Sequence, residues 1–332
     1  MHEMKVMEGS DEKGLPDKAW TMLPSSPNWY CANIAAWSKV GVFAFACKNT
    51  ISLLNVASRS FCGEMNGHSN RVTAIEIAAR DQGEEVVISG SADRSVRVWS
   101  LASQSCLAST SQHKAEVTAL ATSAALPNTV ISGDKKGILV RWCYLAVNAD
   151  IQTCKLDAPI TALACCPHTG SQVVVGFQTG RLVMVDVATM TVVRELIGHD
   201  DEVQSIKWSS IGNHGWIATS SRDKLIRIWS PADGTLHCVF RAKQKPSKGG
   251  GAADERGRGW TSVGWHGASR LLSSSPSGNM LVWQVPQAAV QKEISKCTKL
   301  PNAGGHSRVV FSISPSPTTP NIVVTTGMDR YA

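Results

Sequence analysis

Residues 198 to 230, GHDDEVQSIKWSSIGNHGWIATSSRDKLIRIWS, contain one complete copy of the unit from which the chain is built. Gly198 and His199 open it. Val203, Ile206 and Trp208 mark an apolar strand, a second strand ends at Thr219, and Asp223 and Trp229 close the unit. Short strands joined by tight turns make a four-stranded antiparallel sheet. Such a sheet cannot bury both faces alone, so copies have to stack around a common axis.

The order Gly-His, strand, strand, Asp, Trp marks a WD repeat. The slot of Trp229 recurs at Leu54, Trp99, Trp142, Val185, Trp229 and Trp283, at spacings of 45, 43, 43, 44 and 54 residues. The last gap holds an insertion. A further repeat starts at Gly305 and His306 and reaches Asp329, but Ala332 precedes its Trp slot. The expectation is an all-β WD-repeat β-propeller of about seven blades. The last is incomplete unless the N-terminal segment supplies a strand. Residues 1–27 carry no periodicity and read as a flexible N-terminal arm, and residues 28–332 read as the propeller. A Gly-rich basic loop is inserted at 241–258, and 286–305 forms a second long connection.

Composition narrows the function classes. Apolar residues make up 43 % and charged residues 18 % of the chain, the balance of a packed globular protein. The net charge of +7 is compatible with a polyanionic partner. Ten cysteines are scattered without a CxxC pair or zinc spacing, so they read as reduced thiols of an intracellular protein and no metal is expected. No apolar run approaches a membrane span, and neither a membrane partner nor a cofactor is expected. Gly249, Gly250 and Gly251 are not followed by the Lys-Ser/Thr of a phosphate-binding loop.

Two repeats carry a full hydrogen-bonding set: His68, Ser89, Asp93 and Trp99 in one, and His199, Thr219, Asp223 and Trp229 in the other. His306, Thr325 and Asp329 begin a third. Ser, His and Asp together invite a catalytic reading, but a triad occurs once per site, whereas this set recurs by blade. It reads as structural, each group satisfying another's buried polarity. Two blades are expected to lack the set and to rely on apolar packing, because Lys136 and Thr179 fall in the Asp slot and Val185 in a Trp slot. No enzyme is expected.

Function in a propeller sits where the repeat is broken at one rim. The slot opening each first strand reads Val72, Val117, Ile160, Val203, Trp260 and Val310. A core Trp in a wedge built for Val would cost about 1 to 3 kcal/mol through overpacking, so the indole of Trp260 is expected to project toward the mouth. Lys48 falls in the first blade's Asp slot. Arg308 precedes the seventh blade's first strand, Arg330 follows Asp329, and Trp29 and Tyr30 stand where the first blade begins. Aromatics and cations sharing one mouth have the composition that binds single-stranded nucleic acid. A peptide-binding scaffold is the alternative.

Several stretches are more specific than the repeat: SPNWYCA (26–32), VISGDKKG (130–137), ERGRGWTSVGW (255–265), HSRVVF (306–311) and TTGMDR (325–330). With GHDDEVQSIKW and ATSSRDKLIRIWS they resemble the start of the fifth Gemin family, the large WD-repeat RNA-binding subunit of the survival-of-motor-neuron complex. The resemblance implies recognition of small nuclear RNA through its Sm site and 7-methylguanosine cap, with survival-of-motor-neuron complex proteins as partners and no DNA. It also implies a cytoplasmic and nuclear location. Trp260 then matches the residue stacked on the cap, Trp29 and Tyr30 the Sm-site aromatics, and Lys48, Arg308 and Arg330 its cations.

Overall fold

The computed structural model describes residues 2–3, 7–8, 22–23, 27–28, 31–80, 83–146, 150–209, 215–241, 261–267, 269–275, 278–290, 292–300, 306, 310–316 and 322–327. Among them six four-stranded antiparallel sheets follow one another, at 35–66, 72–110, 117–155, 160–196, 203–241 and 263–299. A seventh sheet joins Val310–Pro315, Ile322–Gly327 and Met7–Glu8. Met7 pairs with Val323 and Glu8 with Ile322, so a piece of the segment read as an arm forms the third strand of the last blade.

The ring is closed. Each blade's first strand touches the first strands on either side, and Val310–Pro315 touches both Val263–His266 and Ala35–Trp37. In each of the seven wedges lies a separate apolar cluster. The Trp slot of each blade faces the preceding blade. Trp99 packs with Ile34 and Ile51, Trp142 with Val86 and Val98, Trp229 with Leu182 and Met184, and Trp283 with Ile228 and Phe240. Where Trp is missing, Val185 packs with Leu139, and Leu54 closes on Val324 of the last blade. Trp99, Trp229 and Trp283 are at most 2 % exposed. Each indole's burial contributes on the order of 4 to 6 kcal/mol before conformational entropy is counted.

Near the axis the wedges are also joined by hydrogen bonds from one recurring position. Thr118 Oγ1 lies 2.6 Å from Ile160 O in the next blade, and Thr161 Oγ1 lies 2.7 Å from Val203 O. Thr73 Oγ1 donates to Val117 O in the same way. Asn28 takes this part for the first blade, its Nδ2 donating to Val72 O at 2.7 Å. The fifth blade departs from the pattern, because Gln204 stands in the Thr position and its Oε1 accepts Thr261 N–H at 2.9 Å.

The described part of the second long connection, 286–290 and 292–300, is bonded to the blades. Val290 N and Ile294 N donate to His237 O and Val239 O, and Arg241 N donates to Ile294 O. It therefore covers the outer strand Leu236–Arg241, an edge that would otherwise offer unpaired backbone groups. The basic loop from 242 onward lies outside the described residues.

Candidate functional site

The sets read as structural are assembled as hydrogen-bonded chains. Trp99 Nε1 donates to Ser89 Oγ at 2.8 Å, Ser89 donates to His68 Nε2 at 2.7 Å, and His68 Nδ1 donates to Asp93 Oδ2 at 2.9 Å. Trp229, Thr219, His199 and Asp223 repeat the order with three contacts of 2.9 Å. Thr325 donates to His306 Nε2 at 2.7 Å, while Asp329 lies outside the described residues. In the sixth blade Trp283 Nε1 reaches Ser273 Oγ at 2.8 Å. Burial pushes the His68 and His199 imidazoles below their ordinary value, against the pull of their carboxylate partners. Burial pushes Asp93 and Asp223 up, but the hydrogen bonds they accept outweigh it and hold both below the usual carboxylate range.

One expectation is corrected. The third blade does not lack the set. His113 Nε2 accepts from Ser132 Oγ at 2.7 Å, and His113 Nδ1 donates to Asp134 Oδ2 at 3.1 Å. Lys136 occupies the slot found by counting, but the carboxylate is supplied two residues earlier.

The loop before each first strand and the turn between second and third strands meet at one end of the ring. Their backbones pair in every blade from the second to the fifth. Ala92 N donates to Arg71 O, Lys135 N to Glu116 O, Gln178 N to Pro159 O and Arg222 N to Glu202 O. These residues, with Cys31, Ala32 and Gln204, border a cavity of about 420 Å³ at the mouth of the channel, in which Arg222 and Ala92 take no part. Arg71 Nη2 lies 2.7 Å from Glu116 Oε1, and Lys135 Nζ donates to Glu116 Oε2. Burial pushes the Glu116 carboxyl up, but the bonds from Lys135 and Arg71 prevail and hold it below the usual range. Glu202, 2.7 Å from Arg222 Nη2, is nonetheless raised by burial. Burial likewise pushes up the Cys31 thiol.

Of the expected site residues, Lys48 is described. Its side chain is exposed in the turn between second and third strands, with φ of 52°. Its backbone is fixed by Asn28, whose Oδ1 accepts Lys48 N–H at 2.6 Å and whose Nδ2 donates to Lys48 O at 2.7 Å. Trp29, Tyr30, Trp260, Arg308 and Arg330 lie outside the described residues. Their described neighbours are held at this mouth: Asn28 by Lys48 and Val72, Cys31 at the cavity wall, and Thr261 by Gln204. Sequence reading missed Arg71, Glu116, Lys135 and Glu202. The signal was present, since Arg71, Glu116 and Glu202 each stand one residue before the Val that opens a first strand.

Comparison with known proteins agrees with this architecture. The family model described as WD domain, G-beta repeat matches residues 59–100 and 190–230, the stretches that contain the sets of His68 and His199. A chain of the solved structure "Crystal Structure of Mitotic Checkpoint Complex" superposes with a TM-score of 0.71 at 17 % identity, covering 98 % of this chain and 99 % of that one, a likeness of fold alone. Gem-associated protein 5 of Mus musculus is 26 % identical over 93 % of this chain, and Component of gems protein 5 of Dictyostelium discoideum is 26 % identical over 86 %. Elongator complex protein 2 of Danio rerio is 28 % identical over 59 %. The chain spans 23 % of the mouse protein's length and 30 % of the Dictyostelium protein's. With its closed ring of blades, six of them four-stranded among the described residues, and its similarity along nearly the whole chain, it is a WD-repeat propeller protein similar to Gem-associated protein 5.

Proposed function

We propose that this chain is a non-enzymatic RNA-binding propeller that recognises the Sm site and 7-methylguanosine cap of small nuclear RNAs for Sm-core assembly. It acts together with survival-of-motor-neuron complex proteins, in cytoplasm and nucleus. The observation that carries the reading is the mouth, where the segments flanking Trp29, Tyr30 and Trp260 are anchored beside a cavity of about 420 Å³ and the exposed Lys48 belongs to the same end of the ring. Trp260 is assigned to the cap, whose methylated guanine is a cation that an aromatic face attracts. Trp29 and Tyr30 stack Sm-site bases, while Lys48, Arg308 and Arg330 meet phosphates. His68, Ser89, His113 and Ser132 are engaged in hydrogen bonds that fix their own blades, which supports a structural rather than a catalytic role for these sets.

Glu116 and Glu202 at the mouth favour a second reading, a scaffold that binds a basic peptide segment. Titration with a capped Sm-site RNA oligomer at moderate salt separates the two. Retention that depends on the cap and on the uridine-rich site supports the first. Weak, sequence-blind retention overturns it.

A further inference from the structure

We infer that Arg71 and Lys135, held together by Glu116, form a phosphate clamp at the rim of the mouth, extending the RNA track across the second and third blades. The inference rests on the RNA-binding reading above.

Pairing of loop and turn leads to an uneven charge distribution around the mouth. In the fifth blade Glu202 is matched by Arg222 of its own turn, one carboxylate to one cation. In the third blade Glu116 is likewise matched by Lys135. The second blade offers Arg71 opposite Ala92, which brings no charge, so Arg71 reaches across the wedge to the same Glu116. One carboxylate thus holds two cations, and this rim group carries a net charge of +1.

The arrangement suits an incoming anion. The Glu116 side chain is 15 % exposed, whereas Arg71 and Lys135 are 49 % and 52 % exposed and border the cavity. Glu116 engages one guanidinium nitrogen of Arg71 and one ammonium proton of Lys135, leaving further donors of both cations for a ligand. Fixing two long side chains in advance lowers the entropy lost when they bind. Cys31, the residue after the proposed Sm-site pair Trp29 and Tyr30, borders the same cavity as both cations. Cations beside aromatics are the pattern of single-stranded nucleic-acid sites, which is why the anion is assigned as a backbone phosphate.

The test is anisotropy of a uridine-rich single-stranded RNA oligomer against the full chain over a sodium chloride series, with thermal melts of every variant. Arg71→Ala and Lys135→Ala are each expected to weaken binding about 3- to 10-fold and to lower the salt slope by about one, and the double variant by about two. Glu116→Gln keeps both cations and removes the competing charge, so binding is expected to tighten about 2- to 5-fold, a gain that lost packing does not produce. Lys39→Ala, in the turn at the other end of the first blade, should change neither quantity. A double variant with wild-type affinity and slope overturns the clamp while leaving the proposed function standing. Wild-type protein that binds no RNA overturns both. Retention of a poly-glutamate peptide through Arg71 and Lys135, with RNA binding indifferent to them, assigns the clamp to acidic peptides and overturns it as an RNA contact.

Discussion

Asp134 Oδ2 sits 3.1 Å from His113 Nδ1, in a blade whose turn carries Lys136 at the position equivalent to Asp93 and Asp223. Asp93 and Asp223 stand four residues beyond the hydroxyl residue of their second strand, and Asp134 stands two beyond Ser132. The carboxylate reaches the same imidazole from the end of the strand itself. It also accepts Lys136 N–H at 2.8 Å and Ile138 N–H at 2.9 Å, so one fully buried side chain fixes both the turn and the loop.

Asp134→Ala is therefore expected to destabilise the protein by about 1 to 3 kcal/mol, because His113 and two backbone donors lose a buried acceptor. Lys136→Ala, at an exposed position, should stay within about 0.5 kcal/mol of wild type. Denaturant melts of the two variants check the shifted position; equal effects would contradict it.

Stability should fall on mild acidification. An unfolded imidazole takes its proton near pH 6.5. The buried His68 and His199 take theirs only at lower pH, so below about 6.5 the unfolded state binds more protons. Their contribution is complete above about 6.5 and is lost as pH falls from there toward the depressed folded values. Asp93, Asp134 and Asp223, held low by the hydrogen bonds they accept despite burial, act in the same direction. Their contribution is complete above about pH 4 and is lost as pH falls through the folded values. Thermal melts from pH 8 to 4 should show Tm declining, first through the histidine window. A Tm that rises on acidification through pH 6.5 contradicts the assignment of neutral imidazoles.

The hydroxyl of Thr73, 3 % exposed, bonds the second blade to the third through Val117 O. Thr73→Val keeps the shape and deletes the donor, with an expected loss of about 1 to 2 kcal/mol. Equilibrium unfolding measures it. No loss would mean that the wedge clusters alone hold these blades together.

For the RNA reading, Trp260→Ala is expected to weaken cap-analogue binding by about 1 to 3 kcal/mol and to spare uncapped Sm-site RNA. Arg308→Ala and Arg330→Ala are expected to do the reverse, each lowering the salt slope by about one. Calorimetry with both ligands on the full-length protein distinguishes them. Unchanged cap affinity in Trp260→Ala removes the cap assignment.

What the sequence determined by itself was the repeat. The spacing of Trp99, Trp142, Trp229 and Trp283 and the sets around His68 and His199 are local, because each set is completed within one blade by residues about 30 positions apart. Periodicity therefore exposes them. It also located the first-strand slots from which Arg71, Glu116 and Glu202 could have been found. Counting failed at Asp134, because a carboxylate can reach one imidazole from two backbone positions and spacing does not distinguish them. Only tertiary structure decided that Met7–Glu8 pairs with the last blade, that Val290 and Ile294 bond to the edge of the fifth, and that Arg71 crosses a wedge to Glu116. The first two join parts of the chain that no repeat relates, and the third joins equivalent positions of neighbouring blades whose charges the repeat does not fix. They are fixed by which edges and charges are left unpaired once the ring has closed.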